Sequence, residues 1–101
     1  MSLDELPAND LIRQGLDDLA QQRQSVEACL VKIGSAQLRR CGMALEVTDE
    51  DALSADHELY ALLSRQHGND AHGRYNALLR ELVSFERALE ARQRRTREAG
   101  A

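Results

Sequence analysis

The chain has 101 residues, with 13 basic and 17 acidic side chains and a formal net charge of −4 at pH 7. This length fits one domain, since domains commonly contain about 100–200 residues. No apolar run approaches the roughly 20 residues that cross a bilayer. The sequence holds one proline, two tyrosines, one phenylalanine and no tryptophan, and such a shortage of strand-forming aromatic residues predicts helices.

The N-terminal segment, residues 1–7, is polar and acidic, the reverse of the basic and apolar pattern of a signal or transit peptide. We therefore expect a cytoplasmic protein that does not associate with membranes. A single helical domain over residues 1–101 is predicted, in which residues 1–8 and 98–101 fray. The two cysteines, Cys29 and Cys41, are too few for a disulfide framework and are expected to be inert thiols, Cys29 in or near the core.

An apolar stripe at spacings of three, four and seven residues predicts a long first helix. Asn9 or Asp10 can cap its start, and Gly34 marks a stop. Arg23 occupies a position at which the spacing of the stripe predicts an apolar residue. We interpret Arg23 as an edge residue whose guanidinium reaches water, the alternative being a charge that selects a partner. The stripe consists of Ile12, Leu16, Leu19, Val26, Leu30 and Ile33.

The segment after this stripe allows two interpretations. Ser35 to Cys41 either forms a short second helix that Gly42 ends, or continues the first helix. Residues 43–47 are then a connector to the next helix. The sequence alone does not separate these alternatives.

The next helix has a strong start signal, because the Thr48 hydroxyl can cap it and three acidic residues at 49–51 face the positive end of its dipole. Ser54 is a second possible cap, so the helix begins near Asp49 or near Ala55. It is predicted to end at Gly68. Its expected apolar face consists of Leu53, Tyr60 and Leu63, with Leu59 and Leu62 beside them.

The clearest periodicity lies in the last helix, predicted from about Asp70 to Arg97. Apolar residues recur there at spacings of three and four. Leu79 and Val83 widen this stripe beyond what one partner helix needs. The stripe consists of Tyr75, Leu78, Leu82, Phe85 and Leu89.

These elements predict an all-α fold. The expected arrangement is an antiparallel up-down bundle of three or four helices, two of them long. A three-helix monomer of this size has a small core, so we expect dimerisation to complete the bundle. The wide stripe of the last helix is the reason for that expectation.

No motif of an enzyme is present, and the sequence favours a non-enzymatic helical interaction or adaptor protein without a cofactor. We expect it to form homo-oligomers and to bind a partner protein. In size and composition it is similar to small bacterial helical adaptors and export chaperones, a likeness shared by many unrelated helical proteins. The predicted interface consists of Ile12, Leu16, Leu19, Leu78, Leu79, Leu82, Val83, Phe85 and Leu89.

A metal- or cofactor-binding bundle is the first alternative, with His57, His67, Asp70 and His72 as its candidate ligands. The spacing argues against it, because His67 and His72 are five residues apart, whereas helical ligand pairs lie three or four apart. We interpret His67 and His72 as solvent-facing turn residues. His57, three residues before Tyr60, is expected at the edge of the core.

The second alternative is a nucleic-acid accessory protein. Arg80, Arg87 and Arg94 recur every seven residues, forming what we call the arginine line, with Arg95 and Arg97 nearby. Such a line could follow a phosphate backbone. However, the chain is net acidic, and glutamates at positions 81, 86, 90 and 98 interleave the arginines. We therefore do not expect nucleic acid as the partner.

Overall fold

A computed structural model describes the backbone of residues 6–99 and the side chains of residues 6–96. Within this range every regular element is helical, which confirms the all-α prediction. A short 3-10 turn, Gly68–Asp70, joins the last two helices. The helices are α1 (Asn9–Ala20), α2 (Val26–Ile33), α3 (Ser35–Arg40), α4 (Asp49–His67) and α5 (Ala71–Ala99).

The helices form the expected up-down bundle. A five-residue turn joins α1 to α2, and the two helices pack together, so they run antiparallel. α2 also packs on α4. α4 and α5 are joined by only three residues and form a hairpin, in which the Tyr75 hydroxyl donates to Asp56 and the rings of Tyr60 and Tyr75 lie 5.6 Å apart, edge to face.

The prediction of one long first helix is wrong. α1 ends at Ala20, and Ser25 caps a new helix by accepting a hydrogen bond from the Ala28 backbone N–H at 3.0 Å. Gln22 between them takes the left-handed conformation at φ 57°, which reverses the chain. The apolar periodicity continues across the turn because α1 and α2 both direct their stripes into the same core.

A buried carboxylate holds this turn. Asp18, whose side chain is 6 % exposed, accepts hydrogen bonds from the side chains of Gln14 (2.9 Å), Arg23 (3.0 Å) and Ser25 (2.6 Å). Arg23 also pairs with Asp17 at 2.9 Å. Arg23 therefore lies in a turn and not on a helical stripe, and its charge is used within the chain. Because the Ser25 hydroxyl stabilises the ionised form, the pKa of Asp18 lies below its ordinary value.

Replacing Asp18 by asparagine is expected to make the folded protein less stable at neutral pH. Its stability should also change less as the pH is lowered. A carboxyl with a lowered pKa in the folded state stabilises that state fully above its unfolded value of about 3.9, and the gain is lost as the pH falls through the folded pKa. Thermal unfolding of both proteins from pH 7 down to pH 3 or below measures this. The midpoints should converge towards acid, and a gap that stays constant would contradict this role.

α3 resolves the choice left open for residues 35–41, because it is a separate short helix after a break at Gly34. An added Cβ at Gly34 would lie 2.8 Å from a methyl group of Leu82, so this glycine lets α5 approach closely. Gly42, at φ 91°, follows the end of α3, as predicted. The side-chain amide of Gln93 on α5 donates to the carbonyl of Cys41, which fixes this end of the bundle.

Ser35 is fully buried, and its hydroxyl has no hydrogen-bond partner among the described residues. A buried hydroxyl without a partner costs about 1–3 kcal/mol, so Ser35→Ala is expected to raise the free energy of unfolding by about 1 kcal/mol. Ser64→Ala, at an exposed position in α4, is the control for helix propensity. Urea denaturation of both variants measures their free energies of unfolding. A Ser35→Ala protein that is less stable than the wild type would contradict the conclusion that the Ser35 hydroxyl has no partner.

α4 begins at Asp49, the earlier of the two expected starts, because the Thr48 hydroxyl accepts from the Asp51 backbone N–H at 3.0 Å. It ends at His67, followed by Gly68 at φ 57°. The predicted apolar face is only partly correct, since Leu53 is 78 % exposed and Tyr60 41 %. The buried residues, spaced by four, are Ala55, Leu59 and Leu63.

The core consists of two adjoining clusters. Leu6, in the segment expected to fray, is 6 % exposed and belongs to the larger cluster, while residues 1–5 and 100–101 lie outside the described part. Both cysteines are buried, as expected for Cys29. The larger cluster is Leu6, Ile12, Leu30, Val31, Leu38, Cys41, Leu82, Phe85 and Leu89, and the smaller is Cys29, Leu59, Leu63 and Ala71.

Candidate interaction groove

An open groove of about 1420 Å³ lies on the surface of the described residues. α1 and the turn after it line one part, α2 and α3 contribute basic residues, and α4 contributes Asp51 in its first turn and Glu58 near its middle. Residues 43–48, which we call the connector, lie along it between α3 and α4. The residues that line the groove include Leu16, Leu19, Ala20, Gln24, Lys32, Arg39, Met43, Leu45, Glu46, Val47, Asp51 and Glu58.

The apolar part of the groove combines one predicted pair with residues that the sequence analysis treated only as a linker. Leu16 and Leu19, both half-buried, project from α1 into the groove. Met43 and Leu45 of the connector are half-buried and pack against the larger core cluster. The sequence carries a weak signal for the connector, because the larger apolar residues Met43, Leu45 and Val47 alternate with the small Ala44 and the acidic Glu46.

The charged part of the groove has two signs. Lys32 and Arg39 come from α2 and α3, whereas Glu46, Asp51 and Glu58 come from the connector and α4. The side-chain ammonium of Lys32 forms neither a hydrogen bond nor an ion pair with any described residue. A segment with both acidic and basic side chains beside apolar ones would complement this surface.

One thiol lies beneath this groove. Cys29 is fully buried, with its Sγ 3.9 Å from a carboxylate oxygen of Glu58. Burial, reinforced by the charge of Glu58, raises the pKa of the Cys29 thiol. A raised pKa disfavours the nucleophilic thiolate, and the burial of Cys29 agrees with the core position expected for it.

Four residues of the predicted interface lie inside the core instead. Ile12, Leu82, Phe85 and Leu89 are at most 3 % exposed and contact the chain's own α2 and α3 cluster, so they are not available to a partner in this conformation. The reason is the turn at 21–25, which folds α2 back and provides the layer that the sequence analysis assigned to a second copy. Leu78 and Leu79 are half-buried, and Val83 is 41 % exposed.

The histidines are not brought together. His57 and His72 are exposed, as is Asp70, and His67 is half-buried at the end of α4. His57 therefore does not lie at the core edge, because α4 is rotated from the expected orientation. His72 Nε2 lies 3.2 Å from the side-chain amide of Asn76. Among the described residues, no three potential ligands form a group that could hold a metal ion.

The arginine line lies on the exposed side of α5. Arg80, Arg87 and Arg94 are all exposed, and Arg94 pairs with Glu90 at 3.6 Å. The side chain of Arg97 lies outside the described residues. Glu81 is exposed next to Arg80, so the surface carries both signs of charge, as expected from the sequence.

Between residues 6 and 99, no helix combines the length and the apolar character that a membrane span requires. No protein-family model, curated protein or solved structure matches the chain. The features of the chain that bear on its function are therefore the groove and the charges and backbone groups around it.

Proposed function

We propose that the protein is a non-enzymatic interaction module that binds a segment of a partner protein in the groove and also self-associates. The observation that carries the proposal is the groove itself, which joins apolar residues of α1 and the connector to charged residues of both signs. Binding sites for protein segments commonly combine apolar anchors with a polar rim.

The size of the groove supports a segment as its occupant. An α-helix is about 10 Å across, and three turns of it are about 16 Å long, so a groove of about 1420 Å³ that is open to solvent has room for such a segment along its surface. Leu16 and Leu19 would contact its apolar side chains, and Lys32 would meet an acidic one. A segment of this size can bind tightly even though the interface is small, because a few anchor residues carry most of the binding energy of an interface.

Photo-crosslinking tests the proposal in the cells from which the protein comes. A photoreactive amino acid replaces Gln24 or Ala20, two exposed residues that line the groove. The matched control replaces Gly73, which is exposed in the first turn of α5 and has no neighbouring atom within 4 Å of an added Cβ.

The expected result is a discrete adduct from both groove positions and none from position 73. Adding Leu19→Glu to the photoreactive chains should abolish the adduct while the helical circular dichroism is kept. Adducts of equal yield from all three positions, or none from the groove, would overturn the proposal.

A second candidate function, nucleic-acid binding, rests on the exposed arginine line. Phosphate contacts by these residues would give an affinity that falls steeply with salt. Because acidic residues accompany the arginines, we expect no mobility shift with generic DNA at low salt. A salt-sensitive shift that Arg80→Glu with Arg87→Glu removes would favour this function instead.

A further inference from the structure

The connector has the pattern of a β-strand without a neighbouring strand. None of its residues is assigned to a helix or a turn, and the exposure of its side chains alternates. Met43 and Leu45 are half-buried and Val47 is buried, whereas Ala44 and Glu46 are exposed. This period of two is that of an extended chain, in which successive side chains point to opposite faces.

The backbone of this extended segment is unpaired. Within the described part of the chain, the N–H and C=O groups of residues 44–47 take part in no hydrogen bond. The Met43 N–H, in contrast, donates to the Leu38 carbonyl of α3 at 3.1 Å. Since successive peptide groups of an extended chain point to opposite edges, those of Ala44 and Glu46 are directed away from α3.

We propose that the connector of a second copy pairs antiparallel with this free edge, about a two-fold axis at Leu45. The inference rests on the self-association part of the proposed function and specifies its surface. In this register Met43 of one copy lies opposite Val47 of the other, and Ala44 lies opposite Glu46. The N–H and C=O groups of Ala44 in one copy then form hydrogen bonds with those of Glu46 in the other copy.

Charge complementarity selects a second copy as the occupant. The connector is preceded by the basic pair Arg39 and Arg40 and followed by the acidic pair Glu50 and Asp51. All four side chains are exposed, and among the described residues none forms an ion pair within 4 Å, although Arg40 interacts electrostatically with Glu86 of α5. An antiparallel copy brings its acidic pair to the basic pair of the first, and the symmetry repeats this contact at the other end.

The same charges do little for each other within one chain. Six extended residues separate the ends of α3 and α4 by about 20 Å at roughly 3.3 Å per residue, which is beyond the screening length of about 8 Å at physiological salt. A parallel copy would place basic against basic and acidic against acidic residues. The charges therefore favour antiparallel self-pairing over the parallel alternative.

Sedimentation of two charge-reversed variants tests this arrangement. One variant carries Arg39→Glu with Arg40→Glu, and the other carries Glu50→Arg with Asp51→Arg. Each variant alone places like charges opposite each other, so its dimerisation should weaken roughly tenfold or more through the loss of four surface ion pairs. An equimolar mixture restores every opposite pair, and its dimerisation should return to that of the wild type.

Reversal at other exposed positions provides the control. Arg80→Glu with Arg87→Glu changes the net charge by the same amount as the first variant and should leave dimerisation unchanged. Circular dichroism of all variants checks that the helices are intact. If the control weakens dimerisation equally, or if mixing fails to restore it, the inference is overturned.

A cysteine at the proposed axis gives a second readout. Leu45→Cys places two thiols on opposite residues of the antiparallel pair, whose Cβ atoms lie about 4.5–5.5 Å apart, and mild oxidation should yield a covalent dimer. Wild-type protein, whose two cysteines are buried, and Gly73→Cys should not form it.

The outcomes separate this inference from the proposed function. A dimer without the Leu45→Cys crosslink and without restoration on mixing overturns the connector pairing and leaves self-association intact. A monomer at high micromolar concentration overturns both the pairing and self-association. Groove binding is decided by the photo-crosslinks at positions 20 and 24, which lie at the end of α1 and in the turn after it and outside the connector.

Discussion

Replacing Phe85 by alanine is expected to lower the free energy of unfolding by about 3–5 kcal/mol, the cost of removing a large side chain from a packed core. Phe85 is fully buried among the residues of the larger cluster. A domain of this size has a stability of only about 5–15 kcal/mol. The variant should therefore lose most of its stability, measured by urea denaturation with far-ultraviolet circular dichroism.

Val83→Ala, two residues away on the exposed side of α5, is the matched control. Val83 is 41 % exposed, so its truncation should change stability by less than about 1 kcal/mol. Comparing the two variants shows whether Phe85 acts as a core residue or as an interface residue. If Phe85 served a partner copy, its alanine variant would weaken association and leave the stability of the monomer unchanged, which would contradict the position found in the bundle.

Gly15→Ala is expected to destabilise the protein by about 1–3 kcal/mol, although alanine favours a helix more than glycine does by about 1 kcal/mol. An added Cβ would lie 2.4 Å from the Glu27 carbonyl oxygen and 2.5 Å from a methyl group of Val31. The first contact is with backbone, and the second is with a β-branched side chain that has few alternative rotamers. α1 and α2 would have to move apart.

Gly73→Ala gives the opposite expectation and serves as the control. No atom lies within 4 Å of an added Cβ at Gly73 in α5, so only the helix preference operates and stability should rise by about 0.5–1 kcal/mol. Thermal unfolding of the two variants measures this contrast in sign. Equal shifts for both would show that α1 and α2 do not cross closely at Gly15.

The crossing at Gly15 also bears on the groove. Close packing of α1 on α2 sets the position of Leu16 and Leu19, which line the groove from α1. A Gly15→Ala protein that remains folded should therefore give weaker photo-crosslinks at Gln24 than the wild type. The α1–α2 hairpin thus links the stability of the bundle to its proposed binding surface.

Local chemistry was readable from single residues. The Thr48 hydroxyl and the acids after it marked one of the two expected starts of α4, and the helix begins there, because a helix cap requires only groups within one turn. Gly42 and Gly68 marked ends in the same way. The strong three-four rhythm of α5 identified Leu82, Phe85 and Leu89 as an apolar face, and these three residues are in the core.

The groove was less readable because it depends on contacts between distant segments. Leu16 and Leu19 were predicted to lie in an interface and do line the groove, but Met43 and Leu45, which line it with them, were assigned to a linker. The alternation from Met43 to Val47 indicates an extended segment in hindsight, and five residues are too few to distinguish it from a connector. Only the packing of the connector beside α1 makes these residues one surface.

The amino-acid sequence by itself determined the helical class and most of the apolar face of α5, since these follow from composition and periodicity within each segment. The tertiary structure decided what covers each face. The stripe of α5 fits a partner copy or a folded-back α2 equally well, and the turn closed by Asp18, Arg23 and Ser25 selects α2. Periodicity records that a face is buried, whereas the identity of its partner depends on where the chain reverses.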